Sequence, residues 1–188
     1  MRYGFKSEAT SLATEVRADL GLSPHDQLDP FRLAEFVEIP VEPLSSFSSA
    51  SGAIHFFTTV DAGCFSGLTV FDGHQRLIVY NDAHAPGRCV SDVAHELSHG
   101  LLLHEPRPAL DHRGFRYHDR DVEDEASYLA GALLVTEAEA LRIVRDEVPY
   151  PLAARQLGVS DDMIRYRVNV TGAENRVARA RRTFSRVR

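Results

Sequence analysis

Apolar residues recur at three- and four-residue spacing from Ser7 to Leu20, at Ala9, Leu12, Ala13, Val16 and Leu20. This spacing predicts a helix, which Gly21 stops. Asp29-Pro30 opens a second, short helix through Val37, and Pro40 and Pro43 forbid its continuation. Ser45 to Ser51 reads as a polar loop of small residues. The period then changes. Ile54 to Thr59, Phe65 to Phe71 and Arg76 to Tyr80 are rich in β-branched and aromatic residues, with Asp72-Gly73 as a hairpin turn between the last two, so three short strands are expected. Helical spacing returns from about Val90 to His104, ahead of Pro106 and Pro108, and Glu105 to Asp121 reads as a loop. It returns again at Val122, Ala126, Leu129, Ala130, Leu133 and Leu134 and runs on, with a break, to Val144. Beyond Pro149 and Pro151, two short helices are expected around Gly158-Val159-Ser160, then an Arg-rich tail from Glu174. The pattern predicts an α+β fold: a small, mostly antiparallel sheet packed on the Val90–His104 helix, with helices around it. Residues 1–150 form the main domain, and 151–188 a helix-turn-helix-like segment and tail packed on it.

Composition narrows the classes. A chain of 188 residues, 44% hydrophobic and 26% charged, is an ordinary globular domain able to bury a sizeable core without disulfides. No apolar run approaches the roughly 18 residues of a membrane span, and MRYGFKSEAT lacks the apolar centre of a signal peptide. Cys64 and Cys89 fit a reducing compartment, so the expectation is a soluble cytoplasmic protein. The net charge of -6 is unevenly spread: between Pro151 and Arg188, nine Arg stand against Asp161, Asp162 and Glu174. A basic end on an acidic body suggests a solvated basic helix, or a surface drawn to an acidic partner.

The chemistry lies in the first long helix after the strands. His95-Glu96-Leu97-Ser98-His99 is HExxH, flanked by the apolar stripe Val93, Ala94, Leu97, Leu101 and Leu102. Residues four apart share one helix face, so both imidazoles can reach a single ion. A catalytic Zn²⁺ takes three protein ligands and leaves a fourth position for water. Glu96 lies beside that position, where it can act as the base. Two imidazoles and a carboxylate favour Zn²⁺, although Mn²⁺ and Fe²⁺ use similar ligands.

A third ligand has to come from elsewhere. The extended pattern HExxHxxGxxH needs Gly at 102 and His at 105; the chain has Leu102 and Glu105, with His104 one place off. The next helix offers Glu123, which shares a face with the small residues Ala126, Ser127 and Ala130. Glu125 is the runner-up, on the face of Tyr128, Leu129 and Ala132. Ser127, one turn beyond Glu123, is placed to hydrogen-bond a ligand imidazole.

HELSH with these flanks, followed by VEDEASYLAGALLV, resembles the ImmA/IrrE family of bacterial zinc metallopeptidases. The order of the remaining elements matches as well. The resemblance implies a zincin-like fold, zinc on His95, His99 and Glu123, and Glu96 as base. It also implies a role: intracellular cleavage of a helix-turn-helix transcriptional repressor that silences mobile-element or stress genes. The length corresponds to the stand-alone form of the protease. Four positions depart from the family pattern: Ser98 for Gly, Ser127 for Asn, Leu129 for Phe and Thr136 for Pro.

Two further signals remain. His112, Tyr117 and His118, in the loop between the two site helices, are candidate stabilisers of an oxyanion. Leu152 to Arg167 resembles a helix-turn-helix, which with the Arg tail raises DNA or repressor binding without proteolysis as the alternative function. Whether Arg165 and Arg167 face solvent or the interior discriminates the two.

Overall fold

A computed structural model describes residues 1–47, 52–73, 75–105 and 119–185. In chain order its regular elements are α1 (Phe5–Asp19), α2 (Pro30–Phe36), β1 (Val41–Pro43), α3 (Gly52–His55), β2 (Gly67–Asp72) and β3 (Gln75–Tyr80). These are followed by α4 (Pro86–Leu101), α5 (Arg120–Leu134), α6 (Glu137–Arg145), α7 (Tyr150–Leu157), α8 (Asp161–Thr171) and α9 (Ala173–Ser185). The fold is α+β, as expected, and none of the described helices is long and apolar enough to cross a membrane.

The helices begin and end where the sequence supplies caps. Asp29 accepts a bond from the Phe31 amide at the start of α2, and Asp119 accepts from Asp121 and Val122 at the start of α5. Thr136, at the break predicted before Val144, accepts from the Glu139 amide and so starts α6. Gly158 turns the chain between α7 and α8 with φ of 67°, and the Ser160 side chain then caps α8.

Two parts of the predicted sheet differ. Ile54 to Thr59 is no strand: α3 runs directly into a π-helical turn, Phe56–Val60. Here tertiary packing overrides β-propensity. Ile54 and Phe57, three apart, both turn into a small cluster with Leu44, Phe47, Phe65, Leu77 and Val79, and the Thr58 hydroxyl donates back to the Ile54 carbonyl at 2.9 Å. The third strand is instead β1, and the order is β1-β3-β2. β2 and β3 are antiparallel over six residue pairs, while β1 joins β3 in parallel over three, so the sheet is mixed. β1 lies at an edge, where its terminal Pro43 is tolerated.

α4 and α5 form the centre. Val93, Ala94 and Leu97 of α4 are fully buried, and α4 packs on α2, β2, β3 and α5. A buried Val or Leu contributes about 1.5–3 kcal/mol, so this stripe anchors the helix firmly. From Ala126 to Val135 every residue but Ser127 is buried, which makes α5 an internal helix with α1 and α8 on its other sides. Phe5 of α1 meets Tyr128 edge to face at 6.2 Å. α8 packs against α5, α6 and α7, and α9 against α6 and α8.

Candidate metal centre

The two central helices approach closely because their facing residues are small: Ala94 and Ala126 are 0% and Ala130 2% exposed. This brings Glu123 to the ring edges of the two histidines one turn apart on α4. His95 Nε2 lies 3.1 Å from Glu123 Oε2 and 3.1 Å from His99 Nε2, and His99 Nε2 lies 3.9 Å from Glu123 Oε1. An ion held at about 2.0–2.1 Å in tetrahedral geometry needs its donors about 3.3 Å apart. Taking one ligand atom from each residue, the three lie within 4.8 Å of one another, close enough to be drawn onto a single cation. All three side chains are partly exposed, leaving a way in for a further ligand.

The electrostatics agree with a site that holds positive charge. Burial opposes protonation of His95, but the bonded Glu123 carboxylate, with Glu96 and Asp92, outweighs it and raises the ring above its ordinary value. His99 is pushed down to about 4, by burial first and then by the neighbouring His95. Ligand imidazoles are neutral when bound, so an ion takes the place of the His95 proton.

Glu96 is one residue beyond His95 and so turns off the ligand face toward β2. There the Thr69 hydroxyl donates to its Oε2 at 2.7 Å. Two residues earlier on the same strand face, Gly67 leaves room: a Cβ there would lie 3.2 Å from the Val79 carbonyl and 3.6 Å from Glu96 Cγ. Neither residue stood out in the sequence, because a Thr and a Gly in a strand have commoner explanations. Ser127 Oγ lies 3.4 Å from His95 Nδ1, on the side away from the ligand cluster. Glu125, the runner-up ligand, is not in the cluster. Its carboxylate accepts from the Arg2 amide at 3.0 Å, and its other oxygen lies 3.8 Å from His104 Nε2. His112, Tyr117 and His118 lie outside the described residues.

Arg167, the discriminator for the helix-turn-helix, is 0% exposed. Its Nε donates to the Val135 carbonyl at 2.8 Å, and its guanidinium lies over the Tyr128 ring. Arg165 is exposed but lies over the Tyr150 ring at 5.4 Å.

Comparison with known families places this arrangement. The family model for the IrrE N-terminal-like domain, a peptidase family, matches residues 54–169, more than half of the chain and all of α4 and α5. The chain belongs to that family. No curated protein and no solved structure matches it. As an IrrE-type metallopeptidase with a His-His-Glu metal site, it accommodates its departures from the family pattern locally. Ser98 is fully buried and its hydroxyl donates to the Ala94 carbonyl at 2.7 Å. Leu129 fills the core, and Thr136 both caps α6 and donates to the Pro24 carbonyl at 2.8 Å.

Proposed function

We propose that this metallopeptidase is a zinc-dependent endopeptidase that cleaves a helix-turn-helix transcriptional repressor inside the cell. The observation that carries the reading is the convergence of His95, His99 and Glu123 within 4.8 Å, with Glu96 held beside them by Thr69. Zinc is favoured over Mn²⁺ or Fe²⁺ by the set of two imidazoles and one carboxylate. When bound, the ion supplies Lewis acidity to the scissile carbonyl and to the attacking water.

The remaining work falls to the chain. His95, His99 and Glu123, carried on packed helices, would hold the ion, with Ser127 beside the far ring nitrogen of His95. Glu96 removes the proton from the attacking water and passes it to the departing amine. Thr69 orients the carboxylate for that transfer by donating to its Oε2. β2 is an edge strand among the described residues, and an extended substrate segment can pair along its open side toward Glu96. His112, Tyr117 and His118 stay candidates for stabilising the oxyanion.

The alternative, a DNA-binding regulator without proteolysis, needs cations on the second helix of the α7–α8 pair. The burial of Arg167 and the stacking of Arg165 favour the peptidase. Glu96→Gln tests the proposal: the variant is expected to retain its metal and to lose cleavage of a co-expressed repressor. Cleavage at wild-type rate by that variant would defeat the mechanism.

A further inference from the structure

α4 ends in the same kind of turn as α2 and α6, with a residue other than glycine at positive φ: Leu103 here, Glu38 and Glu147 there. The His104 amide donates to the His99 carbonyl at 3.0 Å and the Leu103 amide to the Gly100 carbonyl at 3.0 Å, the two reversed bonds of a Schellman motif. The position that this motif places in the left-handed region usually carries Gly, yet here it is Leu103, with φ of 53° and its side chain 81% exposed. A leucine held there is strained and gains nothing by burial. The turn does accomplish one thing. It folds His104 back so that its ring meets that of His99, with centroids 5.0 Å apart and Nδ1 to Nδ1 at 2.9 Å.

The far side of His104 is occupied too. Its Nε2 lies 3.8 Å from Glu125 Oε2, and the side chains of His104 and Glu125 are only 14% and 11% exposed. Glu125 is itself fixed by the Arg2 amide at 3.0 Å and the Arg2 Nε at 3.5 Å. Two carboxylates of α5 thus address the two sides of one imidazole: Glu123 lies near His99 Nε2, and Glu125 stands behind its Nδ1 through His104.

We propose that His104 and Glu125 are positioning residues for the metal ligand His99, forming a carboxylate–imidazole–imidazole relay that selects its tautomer and ring orientation. The proposal rests on the metal-site reading above. The proton assignment follows from the contacts. Metal binding through His99 Nε2 requires the hydrogen on its Nδ1, so His104 Nδ1 must accept it. His104 then carries its own hydrogen on Nε2, the nitrogen beside which the Glu125 carboxylate stands at 3.8 Å, an electrostatic contact longer than a hydrogen bond. This arrangement satisfies the two ring nitrogens that meet at 2.9 Å, and it makes His99 a better donor to the ion. His95 has a different partner, Ser127, so the two ligand rings are held by different means.

The test uses the full chain and Zn²⁺ alone, with affinity measured by competition against a chromophoric chelator. It is joined by the visible absorption of the Co²⁺-loaded protein, which reports ligand geometry independently of cleavage. His104→Ala is expected to weaken Zn²⁺ binding about 10- to 100-fold and to alter the Co²⁺ spectrum, the range typical of lost partners behind a ligand. His104→Gln, whose amide oxygen can accept from His99 and whose amine can face Glu125, is expected to recover most of the affinity. Glu125→Gln should weaken binding by a smaller factor. His104→Ala binding Zn²⁺ like wild type, with an unchanged Co²⁺ spectrum, would overturn the relay while leaving the metal site intact. A wild-type chain that bound no Zn²⁺, and behaved like Glu123→Gln, would overturn both.

Discussion

Two glycines of α4 sit at opposite ends of the metal helix and face different surroundings, and replacing each by alanine tests how the helix is held. At Gly87, in the first turn, a Cβ would lie 2.8 Å from the Val159 carbonyl carbon, 2.9 Å from the Ser160 amide nitrogen and 3.0 Å from the Val159 oxygen. All three are backbone atoms of the turn between α7 and α8, so no rotamer change relieves the clash and the turn must move away. Overpacking of this kind costs about 1–3 kcal/mol. Alanine recovers up to about 1 kcal/mol of helix propensity, less in the first turn. The balance is a loss of about 1–2 kcal/mol, or a Tm lower by about 2–8 °C for a chain of this size. At Gly100 the nearest atoms are Arg76 Nη1 at 3.0 Å and Ile39 Cδ1 at 3.4 Å, both tips of flexible side chains. Gly100→Ala is therefore expected to be neutral or to raise Tm by up to about 4 °C, the propensity gain being offset only by a small shift of Arg76. Thermal melts by circular dichroism, on both variants in the same buffer, read the contrast. Gly87→Ala melting at or above wild type would refute the inference that the α7–α8 turn is packed backbone-to-backbone on the metal helix.

Thr69→Val removes the donor to Glu96 without changing shape. A hydrogen bond to a charged group is worth about 1.5–3 kcal/mol, less when partly exposed, so kcat should fall about 5- to 30-fold with metal content unchanged, and an unaltered kcat would show that Glu96 needs no such restraint. Glu139 is 1% exposed and accepts from Arg142 Nε at 2.8 Å, Arg142 Nη2 at 2.6 Å and His25 Nδ1 at 2.6 Å. Burial alone would raise its pKa, but Arg142 and His25 bring it below the ordinary 4.5. A depressed carboxylate stabilises the fold above its unfolded pKa and loses that contribution as pH falls through the folded value. Glu139→Gln is therefore expected to lower Tm most at pH 7 and progressively less below pH 4.5, and a constant gap down to pH 4 would contradict the assignment. Metal removal should also destabilise. With Zn²⁺ at a hundredfold excess over Kd the stabilisation is about 2.7 kcal/mol, so a chelator should lower Tm by about 5–11 °C in the wild type and not in Glu123→Gln.

The parts of the fold legible in the sequence are those whose signal is periodic and long. α1, α4, α5 and α6 repeat their apolar positions over two turns or more, and Gly21 marks the stop of α1, whereas the caps Asp119 and Thr136 that start α5 and α6 show only in the structure. The strand misread at Ile54–Thr59 is too short for periodicity to decide. Ile54 and Phe57 are apolar at a spacing that a helix satisfies, but Phe56, Thr58 and Thr59 carry high β-propensity, and only the cluster around Leu44 and Val79 settles which prevails. β1 was hidden for the opposite reason. Between Pro40 and Pro43 there is room for one short edge strand, and its pairing to Ile78–Tyr80 comes from the parallel register alone.

At the site, the distinction lies between what a straight helix can show and what its end does. His95, Glu96 and His99 are related by helical geometry alone, so their relation is written in the spacing, and Glu123 follows because its neighbours on that face are small. His104 lies one place off the extended pattern for a third ligand. That displacement is what its observed position requires. A residue five beyond His99 is out of phase with a continuing helix, but the Schellman turn reverses the chain after Leu102 and returns that residue to the carbonyl of His99. The turn cannot be read from the sequence because its usual marker, a glycine, is replaced by Leu103. Glu125, the alternative ligand in the sequence, faces away from the ligand cluster, where Arg2 binds one of its oxygens and His104 stands near the other. The strained leucine, the displaced histidine and the buried carboxylate are therefore one feature. Together they hold one ring of the metal site.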